Sequence, residues 1–219
     1  MIIELPKEFK YEGKGEIRKY AEVVDGILHI YGIFSFDKVM YDLTYAIKGN
    51  EVCYYCGKKV RKKDCTLDHM YPQDIGGPTI PNNLIPCCEG CNSEKSNLTK
   101  AEYEKLIKLP KKRRNTFRKS ILSMREKIWE SGMYELPDEW VNYENTGEFI
   151  VYIKMDEKFK GKKYDRNKEY FKKYHTIKKP IVTDKNGVVL DGYIGLMVAK
   201  EEGLKNIPTI TLENVIVHL

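Results

Sequence analysis

Six cysteines fall within 39 residues of a 219-residue chain, and no other feature restricts its folding as much. Four of them form two CxxC knuckles, Cys53-Tyr-Tyr-Cys56-Gly and Cys88-Glu-Gly-Cys91. Each knuckle sets two thiolates on a tight turn, and two knuckles together supply the four soft ligands of a closed tetrahedral zinc site. Cys65 and Cys87 are surplus to that set, although Cys87 offers a substitute for Cys88. The bland alternative is four reduced, buried cysteines. A disulfide framework is disfavoured, because the N-terminal MIIELPKEFKYEGKGE has charges where a secretory signal would carry its apolar core. The 31 residues between the knuckles exceed what a minimal zinc ribbon needs, so further structure is inserted there.

At 42% apolar and 32% charged, the chain has the composition of a folded globular protein. No run approaches the ~18 apolar residues of a membrane helix, so a cytoplasmic protein without membrane contact is expected. The net charge of +6 is mild but unevenly spread: residues 100–130 and 154–180 each hold 11 basic and 4 acidic side chains. Concentrated basic charge suits a polyanion, since every Lys or Arg that neutralises a phosphate releases condensed counterions. A solvated helix face would carry the same pattern.

Periodicity divides the chain into four stretches. Residues 1–50 contain an alternating run, GILHIYGIF, that reads as one or two strands, then FDKVMYDLTYAIKGN, with Val39, Leu43 and Ile47 at helical spacing. Residues 51–98 hold the knuckles, a strand over 66–70, a loop interrupted by Pro72, Gly76-Gly77-Pro78 and Pro81, and a return strand over 83–86. A short helix is expected over 93–96. Residues 99–140 are a basic helical extension and linker: Thr99 and Glu102 form a capping-box pattern. After Pro110, Phe117, Ile121, Met124 and Ile128 mark the apolar stripe of a helix ending at Gly132, with Arg114, Arg118 and Arg125 opposite. A linker follows over 134–140, and 147–155 reads as the first strand of a unit spanning 141–219.

A segment tied at both ends by a metal is a rigid platform, and this one displays Asp68-His69, Asn82-Asn83, Asn92, Lys95 and Ser96. A carboxylate and an amide oxygen suit a hard cation such as Mg²⁺ or Mn²⁺. A neutral imidazole takes a proton from water near pH 7. Adjacent residues on an ideal strand face opposite sides, so Asp68 and His69 converge only if the strand bends or ends there.

In this order, Cys53-x-x-Cys56, Leu67-Asp68-His69-Met70-x-Pro72, the Gly-rich loop, Asn82-Asn83-Leu84, Cys88-x-x-Cys91-Asn92 and Lys95-Ser96 resemble the zinc-knuckled HNH endonucleases of the ββα-metal fold. The last position is Asn, as in the HNH domain of CRISPR effector nucleases. The resemblance implies that Asp68 and Asn92 bind the catalytic cation, that His69 is the general base, and that Asn83 fixes the His69 ring. It also implies structural zinc on Cys53, Cys56, Cys88 and Cys91, and a flanking phosphate on Lys95. Competing roles are a core histidine for His69, a turn or helix cap for Asp68 and Asn92, a solvated lysine for Lys95, and Asn82 in place of Asn83. The basic candidates for nucleic-acid contact are Lys111, Lys112, Arg113, Arg114 and Arg118.

Residues 176–211 order a strand at 180–183, an Asn186-Gly187 hairpin turn, a strand at 188–190, an Asp191-Gly192 turn, a helix and a strand from Ile207. That order resembles ParB/sulfiredoxin-like domains, but Tyr193-Ile194-Gly195 stands where those families place His or Arg, so a scaffold or interaction role is expected. The basic and aromatic run from Lys158 to Tyr174 suits a nucleic-acid strand or, equally, an amphipathic helix.

The expected fold is therefore α+β, a ββα-metal core with a four-cysteine pair of zinc knuckles, a helical basic extension and a small ParB-like α/β unit. The expected activity is metal-dependent DNA phosphodiester hydrolysis leaving 5′-phosphate and 3′-hydroxyl ends. A non-cleaving, zinc-stabilised DNA-binding module is the alternative. RNA stays open as a substrate, a homodimer would let two sites cut both strands, and the family resemblance implies a phage or mobile-element origin.

Overall fold

The computed structural model describes residues 1–12, 20–32, 36–130, 136–151 and 160–218. It is α+β, with two four-stranded sheets and a two-stranded hairpin among the described residues. None of the described helices is long and apolar enough to cross a membrane.

At the N-terminus, β1 (Lys10–Glu12), β2 (Tyr20–Val24) and β3 (Ile27–Tyr31) run antiparallel. Asp25 and Gly26, both at positive φ (50° and 75°), make the β2–β3 turn, as a two-residue hairpin of right-handed twist requires. Helix α1 (Phe36–Lys48) turns Phe36, Val39, Met40 and Leu43 inward at three- and four-residue spacing. The central unit is the hairpin β4 (Cys65–His69) and β5 (Leu84–Cys88), then α2 (Glu89–Lys95), α3 (Lys100–Lys108) and α4 (Lys111–Glu130). Helix α2 begins four residues before the expected 93–96 turn, so the second knuckle's Cys91 lies inside it. Thr99 and Glu102 form the capping box that opens α3.

Beyond lie β6 (Asn142–Asn145), α5 (Lys162–Tyr174), β7 (Ile181–Asp184), β8 (Val189–Asp191), α6 (Tyr193–Glu201), β9 (Asn206–Leu212) and β10 (Val215–His218). The second sheet has the order β6-β9-β7-β8, with β7 and β9 parallel across the α6 crossover. In the basic and aromatic run, Tyr164 of α5 is buried against Met197 and Val198 of α6, which is the amphipathic-helix outcome. The expected strand over 147–155 is reduced, within its described part, to a bridge between Ile150 and Val188. Its remaining residues, 152–155, lie outside the described residues, as do Lys158, Phe159, the helix stop at Gly132, Tyr134, and residues 15–19 and 33–34 of the first strand region.

The two ends of the chain share one core. Strand β10 joins the N-terminal sheet parallel to β3, and Leu28, Val39, Ile80, Leu190, Ile210 and Val215 pack in a single cluster. Asn214 ties the termini further: its side chain accepts from Ile3 N and donates to Ile3 O, both at 2.9 Å. Ile80 carries the loop between β4 and β5 into that core, and Lys48 of α1 donates to Pro81 O (2.6 Å) and Leu84 O (2.9 Å). Helix α1 thereby forms one wall of the hairpin.

Candidate functional site

The knuckles assemble as the spacing implies. Gly57 N donates to Cys53 O and Cys53 N to Lys58 O, both at 2.9 Å, closing the first turn, and Tyr54 N donates to Pro86 O (3.0 Å), fastening it to β5. Cys88 ends β5 and Cys91 sits on the first turn of α2. The sulfurs of Cys53, Cys56, Cys88 and Cys91 all lie within 4.8 Å of one another, with Cys56 and Cys88 at 4.0 Å. Tetrahedral Zn–S bonds of about 2.3 Å put sulfurs about 3.8 Å apart, so this set fits a zinc ion. Backbone N–H groups of the two knuckles outweigh burial at Cys53 and bring its thiol down to about 7, favouring the ligating thiolate. Cys65 and Cys87 stay outside the set. Burial pushes Cys87 up to about 12, and its sulfur lies 3.5 Å from Thr66 Oγ1.

The strand β4 does not bend at its end: Asp68 pairs with Ile85 and His69 with Leu84 in unbroken register. The two side chains therefore leave opposite faces. Thr66 and Asp68 face α2. Asn92 Nδ2 donates to Thr66 Oγ1 (3.1 Å) and Leu67 O (3.4 Å). Asp68 is buried, accepting from Lys95 Nζ at 2.8 Å and from the Tyr55 hydroxyl at 2.5 Å. Lys95, expected on a flanking phosphate, is instead fully buried, with a second bond to His69 O at 2.8 Å. The fourth residue of an α2 turn that starts at Asn92 points inward over β4, which is why it cannot sit at the surface. Burial drives both partners toward their neutral forms, Asp68 up and Lys95 down, and their mutual attraction opposes it.

His69 points the other way, its Nε2 3.1 Å from Thr79 Oγ1. Burial, then the charges of Lys179 and Lys95, lower it to about 4, so the ring is neutral at pH 7. Asn83 is fully buried and works on backbone rather than on the His69 ring. Its Oδ1 accepts from Tyr71 N (2.8 Å), and its Nδ2 donates to Tyr71 O (3.0 Å) and Pro78 O (2.8 Å). It thus pins the loop after the histidine. Asn82 lies aside, bonded to Ile2 O and Glu4 N. Gly77 is required here, because a Cβ would fall 1.8 Å from Tyr71 O.

Of the basic candidates, Lys111, Lys112 and Arg113 are exposed. Arg114 and Arg118 are committed elsewhere. Arg114 bonds Glu94, Ile107 O and Leu109 O; Arg118 bonds the carbonyls of Glu94 and Lys95. Helix C-termini leave carbonyls without intrahelical partners, and guanidinium forks satisfy them. Arg125 is 2% exposed and paired with Glu102 and Asn97 O, whereas Met124, expected on the apolar stripe, is 57% exposed. The inward face of α4 therefore carries the arginines together with Phe117 and Ile121.

Several participants carry no signal in the sequence. Thr79 meets the His69 ring and Gln73 meets Thr79, both from the loop, and the Lys179 charge acts on the ring from the segment before β7, with no spacing that links them.

The HNH endonuclease family model matches residues 53–107. The CRISPR-associated endonuclease Cas9 of Actinomyces naeslundii is 39% identical over 61 residues, which are 26% of this chain and only 5% of that protein's length. Among solved structures, the C2221 form of a Pnob8-like ParB-N domain aligns over 32% of this chain and 28% of that one, at 19% identity and a TM-score of 0.27.

Proposed function

We propose that this chain, whose residues 53–107 form an HNH endonuclease domain, is a metal-dependent endonuclease that hydrolyses DNA to 5′-phosphate and 3′-hydroxyl ends. The observation that carries this reading is that Asp68, His69, Asn83 and Asn92 all stand on the one hairpin-and-helix unit closed by four sulfurs. Neutral His69 accepts the proton of an attacking water, and Asn83 keeps the following loop in place beside it. Asp68 uses two of its roughly four lone-pair positions on Lys95 and Tyr55, and with the Asn92 amide oxygen it offers the donor set a hard cation accepts. Mg²⁺ or Mn²⁺ held there would neutralise charge on the scissile phosphate and on the departing 3′ oxygen. Zinc on the four cysteines would be structural, and Lys111, Lys112 and Arg113 would follow the DNA backbone.

A non-cleaving DNA-binding module is the second reading. What favours it is that Lys95 already neutralises Asp68 and that His69 leaves the opposite face of β4. Incubating supercoiled plasmid with protein and Mg²⁺ or Mn²⁺ separates the two. Nicking that EDTA stops and that His69→Ala lowers by about 10²–10⁴-fold supports the enzyme; retention of plasmid with no cutting supports the binder. A labelled RNA arm tests the nucleic acid used.

A further inference from the structure

Part of the positive charge of α4 is spent inside the protein: Arg114, Arg118 and Arg125 bond carbonyls and carboxylates of neighbouring elements. A shorter run keeps its charge free. Lys58-Lys59-Val60-Arg61-Lys62-Lys63, which follows the first knuckle, carries five cations in six positions. All five are exposed. Among the described residues, Arg61 has an ion pair, with Asp64, and the four lysines have none.

The backbone beneath these cations is fixed. Lys59 forms a β-bridge with Val52, Val60 N donates to Glu51 O (2.7 Å), and Cys53 N donates to Lys58 O (2.9 Å). The sulfurs of Cys53 and Cys56 hold the base of the hairpin, and at its far end the chain enters β4 at Cys65. A surface fixed before binding loses less entropy when a ligand engages it. From the same knuckle, the Tyr55 hydroxyl donates to Asp68 at 2.5 Å, which ties the basic hairpin to the candidate cation donor. Cys65 and Asp68 are three residues apart on β4, about 10 Å. That span is roughly three base-pair steps, at 3.4 Å of duplex axis per step.

We propose that the first knuckle is a grip on the backbone of duplex DNA, with Lys58, Lys59, Arg61, Lys62 and Lys63 on phosphates that flank the one nearest Asp68. Its part in cleavage rests on the nuclease reading above; the binding itself does not. Residues 57–64 contain no aromatic side chain to stack on an unpaired base, and cations that meet phosphates carry no base readout, so this contact is independent of sequence.

The test uses full-length, zinc-loaded protein and a fluorescein-labelled 30-bp duplex without added Mg²⁺ or Mn²⁺, with affinity read by anisotropy across a NaCl series. Each phosphate contact contributes about 0.9 to the slope of log K against log salt. Substituting Lys58, Lys59, Lys62 and Lys63 together by Gln should therefore lower that slope by about 3–4, with zinc content and far-UV circular dichroism unchanged. If that variant loses zinc, Lys62→Gln with Lys63→Gln leaves the knuckle turn intact and should lower the slope by about 2. The control removes equal charge elsewhere, at the exposed Lys7, Lys10, Lys200 and Lys205, and should change the slope by less than about 1. A slope that the knuckle variants leave unchanged, or that the control lowers equally, overturns the proposal. So does tighter binding of an RNA duplex through the same lysines. A slope that falls as expected in a protein that nicks no plasmid overturns the nuclease reading alone and leaves the grip intact.

Discussion

Lys95 reaches Asp68 from the last turn of α2, and its position changes what the residue does. A surface lysine near a phosphate would contribute through counterion release; a buried one beside a buried carboxylate is part of the fold. Removing one member of such a pair strands a charge in an apolar setting, which costs about 3–5 kcal/mol. Lys95→Met is therefore expected to lower the urea unfolding free energy by that order, and Asp68→Asn in the same chain to recover most of the loss. Equal stability of Lys95→Met and the native protein would show that the pair is not the buried contact of 2.8 Å found here. His69 differs in kind, since its environment leaves a proton acceptor without an ionic partner: burial and two lysines keep the imidazole neutral.

At the scale of elements, the hairpin and α2 are too small to bury a core of their own, and their closure falls to the knuckles and to α4. Four sulfurs converge between the first knuckle, the end of β5 and the start of α2, so a zinc ion held there would link metal binding to the folding of this unit. Stripping zinc with a chelator is expected to remove hydrogen-exchange protection from β4, β5 and α2 before it affects β2, β3 and β10; protection lost uniformly, or not at all, would overturn this order. Helix α4 closes the other side. Arg118 and Arg125 bring guanidinium groups to the carbonyls of Glu94, Lys95 and Asn97, at the end of α2 and in the turn after it. The basic helix thus acts partly as a clamp, while Lys111, Lys112 and Arg113 stay exposed in its first turn.

For the whole molecule, the joint between the two halves is Asp184. Its Oδ1 accepts from Asn186 N (2.8 Å) and Val188 N (2.9 Å), closing the β7–β8 turn, and its Oδ2 accepts from Val217 N (3.0 Å) on β10. The carboxylate is fully buried, so Asp184→Ala leaves three amides without their acceptor at about 1–3 kcal/mol each. A loss of at least about 3 kcal/mol is expected. Because β10 shares the core of the N-terminal sheet, far-UV circular dichroism and tryptophan fluorescence should still report one coincident transition. Two separated transitions in the native protein would mean that the halves fold as independent units.

Ligand types and their spacing, the Thr99 capping box, the Asn186-Gly187 turn and the periods of α1 and α6 are local properties, set within a few residues, and the sequence alone determined them. The α+β class and the HNH core were legible for the same reason. Which face each side chain met was decided only by the tertiary structure. Asp68 and His69 were neighbours whose separation depended on an unbent strand. Lys95, Arg118 and Arg125 read as solvent-facing charge until α2 and α4 packed and their carbonyls needed donors. Strand β10 found β3 from the far end of the chain, and Thr79 found the His69 ring across a loop. Periodicity records how often a chain turns toward an interior, but the partner waiting there is supplied by other segments, and their arrival is a long-range event.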